Sequence, residues 1–272
     1  MRRLALLLSL PALLCAADTR DVTLRTPDGF TLKGTLTVPE GREKHPVVIL
    51  AHQFRSDRSG WAPLVDKLQQ RGIATLALDL RGHGASTQKD GVAVAVSDNF
   101  DASAKAVGFD QIPEDLLLAA TWVRKQPGIN GHRLALAGSS VGATSVLLAG
   151  PKVHPVAVLA LSPGGDSKAI SEATGKAYAA VMLLAATEDK PAAEDAAAIR
   201  PIFGTHVRVL DGSDHGFAFL KDHTDVMAVF LAEYLTRRNY VMAGPEKGAK
   251  ATNVVTNETL AAGAQAPTEA VK

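Results

Sequence analysis

The chain has 272 residues, 46% hydrophobic and 21% charged, with a formal net charge of +1. That composition suits one large globular domain or two small ones. The near-neutral balance excludes a basic footprint for nucleic acid.

Residues 1–17 read as a secretory signal peptide and not as part of the fold. Arg2 and Arg3 make a positive start, residues 4–17 are apolar around Pro11, and Cys15-Ala16-Ala17 offers small residues for cleavage. The stretch is too short for a stable membrane span, and it shows no polar face of the kind a buried N-terminal helix would carry. Lipid attachment at Cys15 ranks second, because Leu14 stands where such signals prefer a small residue. Cleavage removes two of 29 basic residues, leaves 28 acidic ones and so gives a formal charge of −1. It also removes the only cysteine. Thiol nucleophiles, disulfides and Cys-based metal sites are thereby excluded from the mature chain. Export, to the periplasm or beyond, is argued from the signal alone.

The elements then follow in order. Residues 21–26 and 30–38 alternate apolar and polar around Pro27-Asp28-Gly29, the pattern of a hairpin. Residues 46–51, PVVILA, form a β-branched run suited to a central buried strand. A helix starts near Ser59-Gly60-Trp61, with Leu64, Val65 and Leu68 on one face and Gly72 ending it. Residues 73–78 are another buried strand, followed by the turn 79–84, whose Asp79 and His83 are read as turn residues and not as metal ligands. A long polar loop is expected over 85–111. Residues 113–125 begin with Pro and carry Leu116, Leu117, Ala120 and Val123 at helical spacing. After the stretch 133–142 come strands at 156–161 and 181–186 with only a short polar segment between them. A helix at 194–202, a strand at 206–210 and a last helix at 224–236 complete the domain, taken as 18–240. Residues 241–272 are Ala/Gly/Thr/Asn-rich without an aromatic, and are expected to be a disordered tail. Alternating strands and helices imply a mostly parallel central sheet of about eight strands, covered on both faces, with an antiparallel N-terminal hairpin. Such sheets place their ligand crevice at the C-terminal ends of the strands.

The chain is organised around 133–142, RLALAGSSVG. Leu134–Ala137 is a short buried strand, Gly138-Ser139-Ser140-Val141-Gly142 is G-x-S-x-G, and 143–149 is helical. Strand, tight turn and helix together make a nucleophile elbow. Only Ser140 has glycine two residues before and two residues after it. A serine hydroxyl needs a histidine to take its proton and a carboxylate to orient that histidine. Of the eight histidines, His45, His132 and His206 precede strands and sit at the wrong edge. His154 lies in a turn before a strand and His223 at the last helix, while His52 is read as shaping its own loop. His215, in Asp211-Gly212-Ser213-Asp214-His215-Gly216, follows the last strand at the right edge. The carboxylate is expected after the strand 181–186, where Glu188 and Asp189 are two candidates, with Asp166 third. The order Ser, acid, His is the one this elbow requires. Two backbone N–H groups, of Val141 and Phe54, are the expected oxyanion hole.

These pieces resemble an α/β-hydrolase, of the small dienelactone-hydrolase-like, serine esterase type. The resemblance covers about 20–240 and rests on AHQF, LDLRGHGAS, GSSVG, ATEDK and DGSDHGF in that order. It implies the α/β-hydrolase fold and a hydrolase with Ser140 as nucleophile, His215 as base and Asp189 as orienting acid. In this family lids are commonly inserted between the sixth and seventh strands, and the short interval here implies no large lid. Two positions depart from the family: His52-Gln53 stands where many members have His-Gly, and Ser140 stands where dienelactone hydrolases proper carry Cys. The expected function is cleavage of small-molecule carboxylic esters with short acyl groups, with no cofactor and no metal. A serine peptidase of the same fold and a non-catalytic envelope binding protein on this scaffold are the competing readings.

Overall fold

The computed structural model describes residues 17–41 and 43–237. Apart from Ala17, the signal peptide at 1–17 and the tail at 241–272 lie outside the described residues.

The chain opens with an antiparallel hairpin, β1 (Asp18–Arg25) and β2 (Phe30–Val38), in register from Asp18 opposite Val38 to Arg25 opposite Thr31. Six parallel strands follow: β3 (His45–Ala51), β4 (Ala74–Leu78), β7 (Ile129–Ser139), β8 (Ala157–Leu161), β9 (Ala180–Ala186) and β10 (Thr205–Leu210). Two short pieces, β5 (Gln88–Lys89) and β6 (Val92–Ala93), extend the edge beside β2. The sheet order is β10-β9-β8-β7-β3-β4-β2-β5-β6, with β1 also on β2. β2 runs antiparallel to β4, so the sheet is mixed at that edge.

The strands β4, β8 and β9 are buried throughout because helices cover both faces. Helices α1 (Ala62–Gln69) and α7 (Leu220–Thr236) lie on one side, bringing Leu64, Leu68, Met227 and Leu231 against Val48, Leu50 and Leu159. Helices α3 (Ile112–Val123), α4 (Val141–Val153), α5 (Ser167–Ala177) and α6 (Lys190–Ile199) lie on the other, where Leu116, Val146, Ile170 and Ile199 join Ile49, Leu136 and Val158. Successive residues of one strand thus feed two cores. Truncating a fully buried member such as Ile49 or Leu136 to Ala costs about 2–5 kcal/mol.

Three expectations need correction. The interval between β8 and β9 is not a short polar segment but holds helix α5. Its buried residues, Ile170, Thr174 and Ala177, have helical spacing, but Thr and Ala make a faint apolar stripe. The stretch 85–111 is not a plain polar loop: besides β5 and β6 it folds helix α2 (Phe100–Val107). Asn99 caps α2 by accepting from the Ala102 N–H, and Gly108 ends it at φ +76°. The last helix starts at Leu220, not Thr224, after a tight turn over Gly216–Phe219, so His223 lies inside it.

Candidate active site

The elbow forms where β7 meets α4. Ser140 has φ +52° and ψ −117°, a conformation costly for any residue with a side chain. The flanking glycines make the turn possible. A Cβ on Gly138 would lie 2.2 Å from the Gly142 carbonyl oxygen, and one on Gly142 would lie 2.2 Å from that of Ala51. Ser140 is held from below, its N–H donating to Leu161 O at 2.8 Å. Helix α4 begins at the next residue, so its positive end faces the serine.

His215 follows β10, and Asp189 follows β9 at the start of α6. Because β7, β9 and β10 are parallel, all three residues emerge at one edge of the sheet. His215 Nε2 is 2.8 Å from Ser140 Oγ, and His215 Nδ1 is 2.7 Å from Asp189 Oδ2. A carboxylate only accepts, so Nδ1 carries the proton and Nε2 is left to accept from the serine hydroxyl. Asp189 makes no capping bond to α6, which leaves its carboxylate to the histidine. Its side chain is 12% exposed while that of His215 is 48% exposed, so the imidazole stands at an open mouth.

The other acids go elsewhere. Glu188 is exposed, and its backbone N–H ties the turn to Gly212 O at 2.9 Å. Asp166 caps α5, accepting from the N–H groups of Lys168 and Ala169.

His52 is wholly buried. Its Nε2 accepts from the Leu80 N–H at 2.9 Å, so its Nδ1 proton goes to Gln53 O at 2.7 Å. Burial drives its pKa down to about 4, which keeps the ring neutral and matches this pair of bonds. The ring therefore locks the loop after β3 to the turn after β4. In that turn the Asp79 carboxylate accepts from Arg58 and from the Ala85 N–H. His83 packs edge-on to His52 and stacked on Phe109, and burial lowers its pKa also.

The loop thus fixed carries Phe54. Among the described residues neither the Phe54 N–H nor the Val141 N–H meets an acceptor. The Phe54 ring turns into a cluster with Phe100, Phe109 and His83. Sequence reasoning missed this cluster because it missed α2. It also missed Arg81, which is 1% exposed and held between Asp115 and Asp28 over the Phe30 ring. That group joins the turn after β4 to α3 and the N-terminal hairpin. A basic residue in an otherwise polar turn gives no signal of burial.

Residues 42–198 match the family model described as serine aminopeptidase, S33. The uncharacterized 31.7 kDa protein in the traX-finO intergenic region of Escherichia coli is 32% identical over 116 residues, which is 42% of this chain and 36% of that protein. The chain thus spans about a third of the length of that relative. Among solved structures, a dienelactone hydrolase from Anabaena variabilis superposes with a TM-score of 0.60 at 21% identity, covering 81% of this chain and 97% of that one. Acetyl xylan esterase 1 from Thermoanaerobacterium sp. gives a TM-score of 0.63 at 18% identity, covering 81% and 84%. At these identities the two structures speak to the fold alone. With more than half of the chain inside the family model, and with this sheet order and elbow, the protein belongs to the serine aminopeptidase S33 family of α/β-hydrolases and is dienelactone-hydrolase-like in fold.

Proposed function

We propose that this protein is an exported serine hydrolase that cleaves short-acyl carboxylic esters through an acyl-enzyme on Ser140. One observation carries the reading: the continuous chain from Ser140 Oγ through His215 to Asp189, at 2.8 and 2.7 Å, built on a strained elbow. His215 Nε2 takes the hydroxyl proton as Oγ attacks the ester carbonyl carbon. The carbonyl oxygen becomes an anion, received by the N–H groups of Val141 and Phe54 at the positive end of α4. Asp189 stabilises the imidazolium. As the tetrahedral species collapses, His215 returns the proton to the departing alkoxide, leaving the acyl group on Oγ. Water, deprotonated by the same imidazole, then releases the acid and restores the serine.

Retaining such a costly backbone at Ser140 argues against a binding protein that has lost its chemistry. A peptidase reading has support in the family's name, and the same acyl-enzyme would serve it. The short-acyl preference rests on the open mouth at His215 and on the neighbouring rings. Phe54 is packed into its aromatic cluster, so Phe100, 47% exposed, is the large apolar surface that cluster presents. Longer chains need more apolar wall than this, at about 0.8 kcal/mol for each methylene buried.

The test is a panel of chromogenic esters from acetyl to dodecanoyl, with aminoacyl amides beside it, on protein lacking residues 1–17. Rates highest from acetyl to butyryl are expected. Rates rising steadily toward dodecanoyl would sink the short-acyl reading, and cleavage of the amides alone would favour the peptidase. Export is tested by intact mass, with Asp18 expected at the mature N-terminus.

A further inference from the structure

Gln53 stands where many relatives by resemblance have glycine, and its side chain joins three loops. Its Oε1 accepts from Ser139 Oγ at 3.0 Å and from the Phe217 N–H at 2.9 Å. A backbone N–H only donates, so the amide atom facing Phe217 is the oxygen, and the orientation of the carboxamide is fixed. Ser139 is fully buried and precedes Ser140, while Phe217 lies two residues after His215. Gln53 itself precedes Phe54. One side chain therefore links the elbow, the histidine loop and the loop offering the second oxyanion donor.

A second hook lies beside it. The Gly216 N–H donates to Ser162 Oγ at 3.0 Å. Ser162 is held at φ +51°, a strained value for serine, and its own N–H donates to Leu184 O. Two successive N–H groups after His215 are thus taken by two side chains from different strand ends. The glycine between His215 and Phe217 is required for this approach. At Gly216, with φ +57°, a Cβ would fall 2.3 Å from Gln53 Oε1 and 2.6 Å from Ser139 Oγ.

From this convergence we propose that Gln53, assisted by Ser162, is a positioning residue for catalysis: it clamps the 216–217 backbone to the elbow and so holds the His215 imidazole in register with Ser140. The inference rests on the Ser140 hydrolase reading. His215 is half exposed, and among the described residues its ring hydrogen-bonds to Ser140 and Asp189 alone. Those two bonds orient a ring whose backbone is already placed. The clamp does the placing, and a shift of about 1 Å in such a group costs roughly 100-fold in rate.

The experiment compares wild type, Gln53→Met and Gln53→Glu, with Ser140→Ala as the blank. Methionine keeps the bulk and loses the acceptor; glutamate keeps two acceptor oxygens. Thermal melts establish that each variant is folded. Ester kcat and KM and the rate of covalent labelling by a fluorophosphonate are then measured. Gln53→Met should lose roughly 100-fold in kcat with KM within about threefold. Gln53→Glu should keep at least roughly fivefold more kcat than the methionine variant, since it restores both bonds. A folded Gln53→Met with wild-type kcat, or a glutamate variant no better than methionine, would overturn the proposal. Should Gln53→Met not fold, Ser162→Ala decides: it should lose roughly tenfold in kcat at constant KM, and unchanged kcat would refute the clamp. Wild type that labels no faster than Ser140→Ala would overturn the nucleophile reading, and the clamp with it. Normal wild-type labelling with an indifferent Gln53→Met overturns the clamp alone.

Discussion

Asp189→Asn isolates the chemical role of the carboxylate with little change of shape. In the wild type the Asp189 carboxylate only accepts, so His215 Nδ1 must carry the proton at 2.7 Å and Nε2 is bare toward Ser140 at 2.8 Å. An asparagine amide can turn its NH2 toward Nδ1. That arrangement puts the ring proton on Nε2, where it faces the serine hydroxyl and cannot accept from it. The histidine is then present, correctly placed and in the wrong tautomer. The loss expected from such an exchange is about 10⁴ in kcat, or about 5 kcal/mol of transition-state stabilisation, a magnitude taken from the same exchange in a serine protease. Stability should change little, because Asp189 caps nothing in α6. The assay is ester turnover together with fluorophosphonate labelling, and Glu188→Gln serves as the neighbour control. Glu188 is exposed and, among the described residues, its carboxylate hydrogen-bonds to neither Ser140 nor His215, so its variant should stay within about threefold of wild type. Asp189→Asn within tenfold of wild type, or a larger loss in Glu188→Gln, would refute the reasoning.

Three further outcomes follow from the same geometry. Ser140→Ala should abolish fluorophosphonate labelling, whereas Ser139→Ala, which removes one of two donors to Gln53, should keep most of it; persistent labelling of Ser140→Ala would defeat the assignment. His52 is neutral in the fold with a pKa near 4, against about 6.5 unfolded, so its contribution is complete above pH 6.5 and is lost as pH falls toward 4. Chemical denaturation at pH 7 and pH 5 should show about 2 kcal/mol of stability lost through this group, a loss that shrinks in His52→Gln; an identical pH dependence in the variant would remove His52 as the cause. Gly142→Ala should destabilise by about 3 kcal/mol or more, because the new Cβ meets backbone at 2.2 Å, while Gly175→Ala on the open face of α5 should gain up to about 1 kcal/mol; thermal melts that rank the two the other way would contradict the packing.

The parts of the site visible in the sequence are those where one residue type performs a local task. Gly138 and Gly142 could be read as obligatory because an elbow needs them at a fixed offset, and the close contacts at 2.2 Å give that offset its physical content. Edge removes the histidines that precede strands, since a parallel sheet sorts strand ends into two sets, and His215 is then told from His52 and His83 by its place after the last strand, behind the candidate acid. The strands β3, β4, β8 and β9 were equally plain, because burial on both faces leaves an unbroken apolar run. Helices α2 and α5 were hidden for the opposite reason. Each is short and buries few residues, and α5 shows the core only Ile170, Thr174 and Ala177. Their caps, Asn99 with Gly108 and Asp166, were signals of a kind that could have been weighed above hydropathy.

Gln53 belongs to a third kind. Its departure from His-Gly was legible, and its consequence was not. Nothing local in His52-Gln53-Phe54 says that the side chain will meet Ser139, 86 residues on, and the Phe217 N–H, 164 residues on. Those partners exist only once β3, β7 and β10 deliver three loops to the same edge. The same holds for Ser162 and Gly216, and for Arg81 between Asp28 and Asp115. In this chain the residues that would do the chemistry announce themselves by motif, while the residues that hold them in place are defined by a meeting of strand ends. A departure from a family motif beside such a meeting is therefore the better place to look for what sets this protein apart than the motif itself.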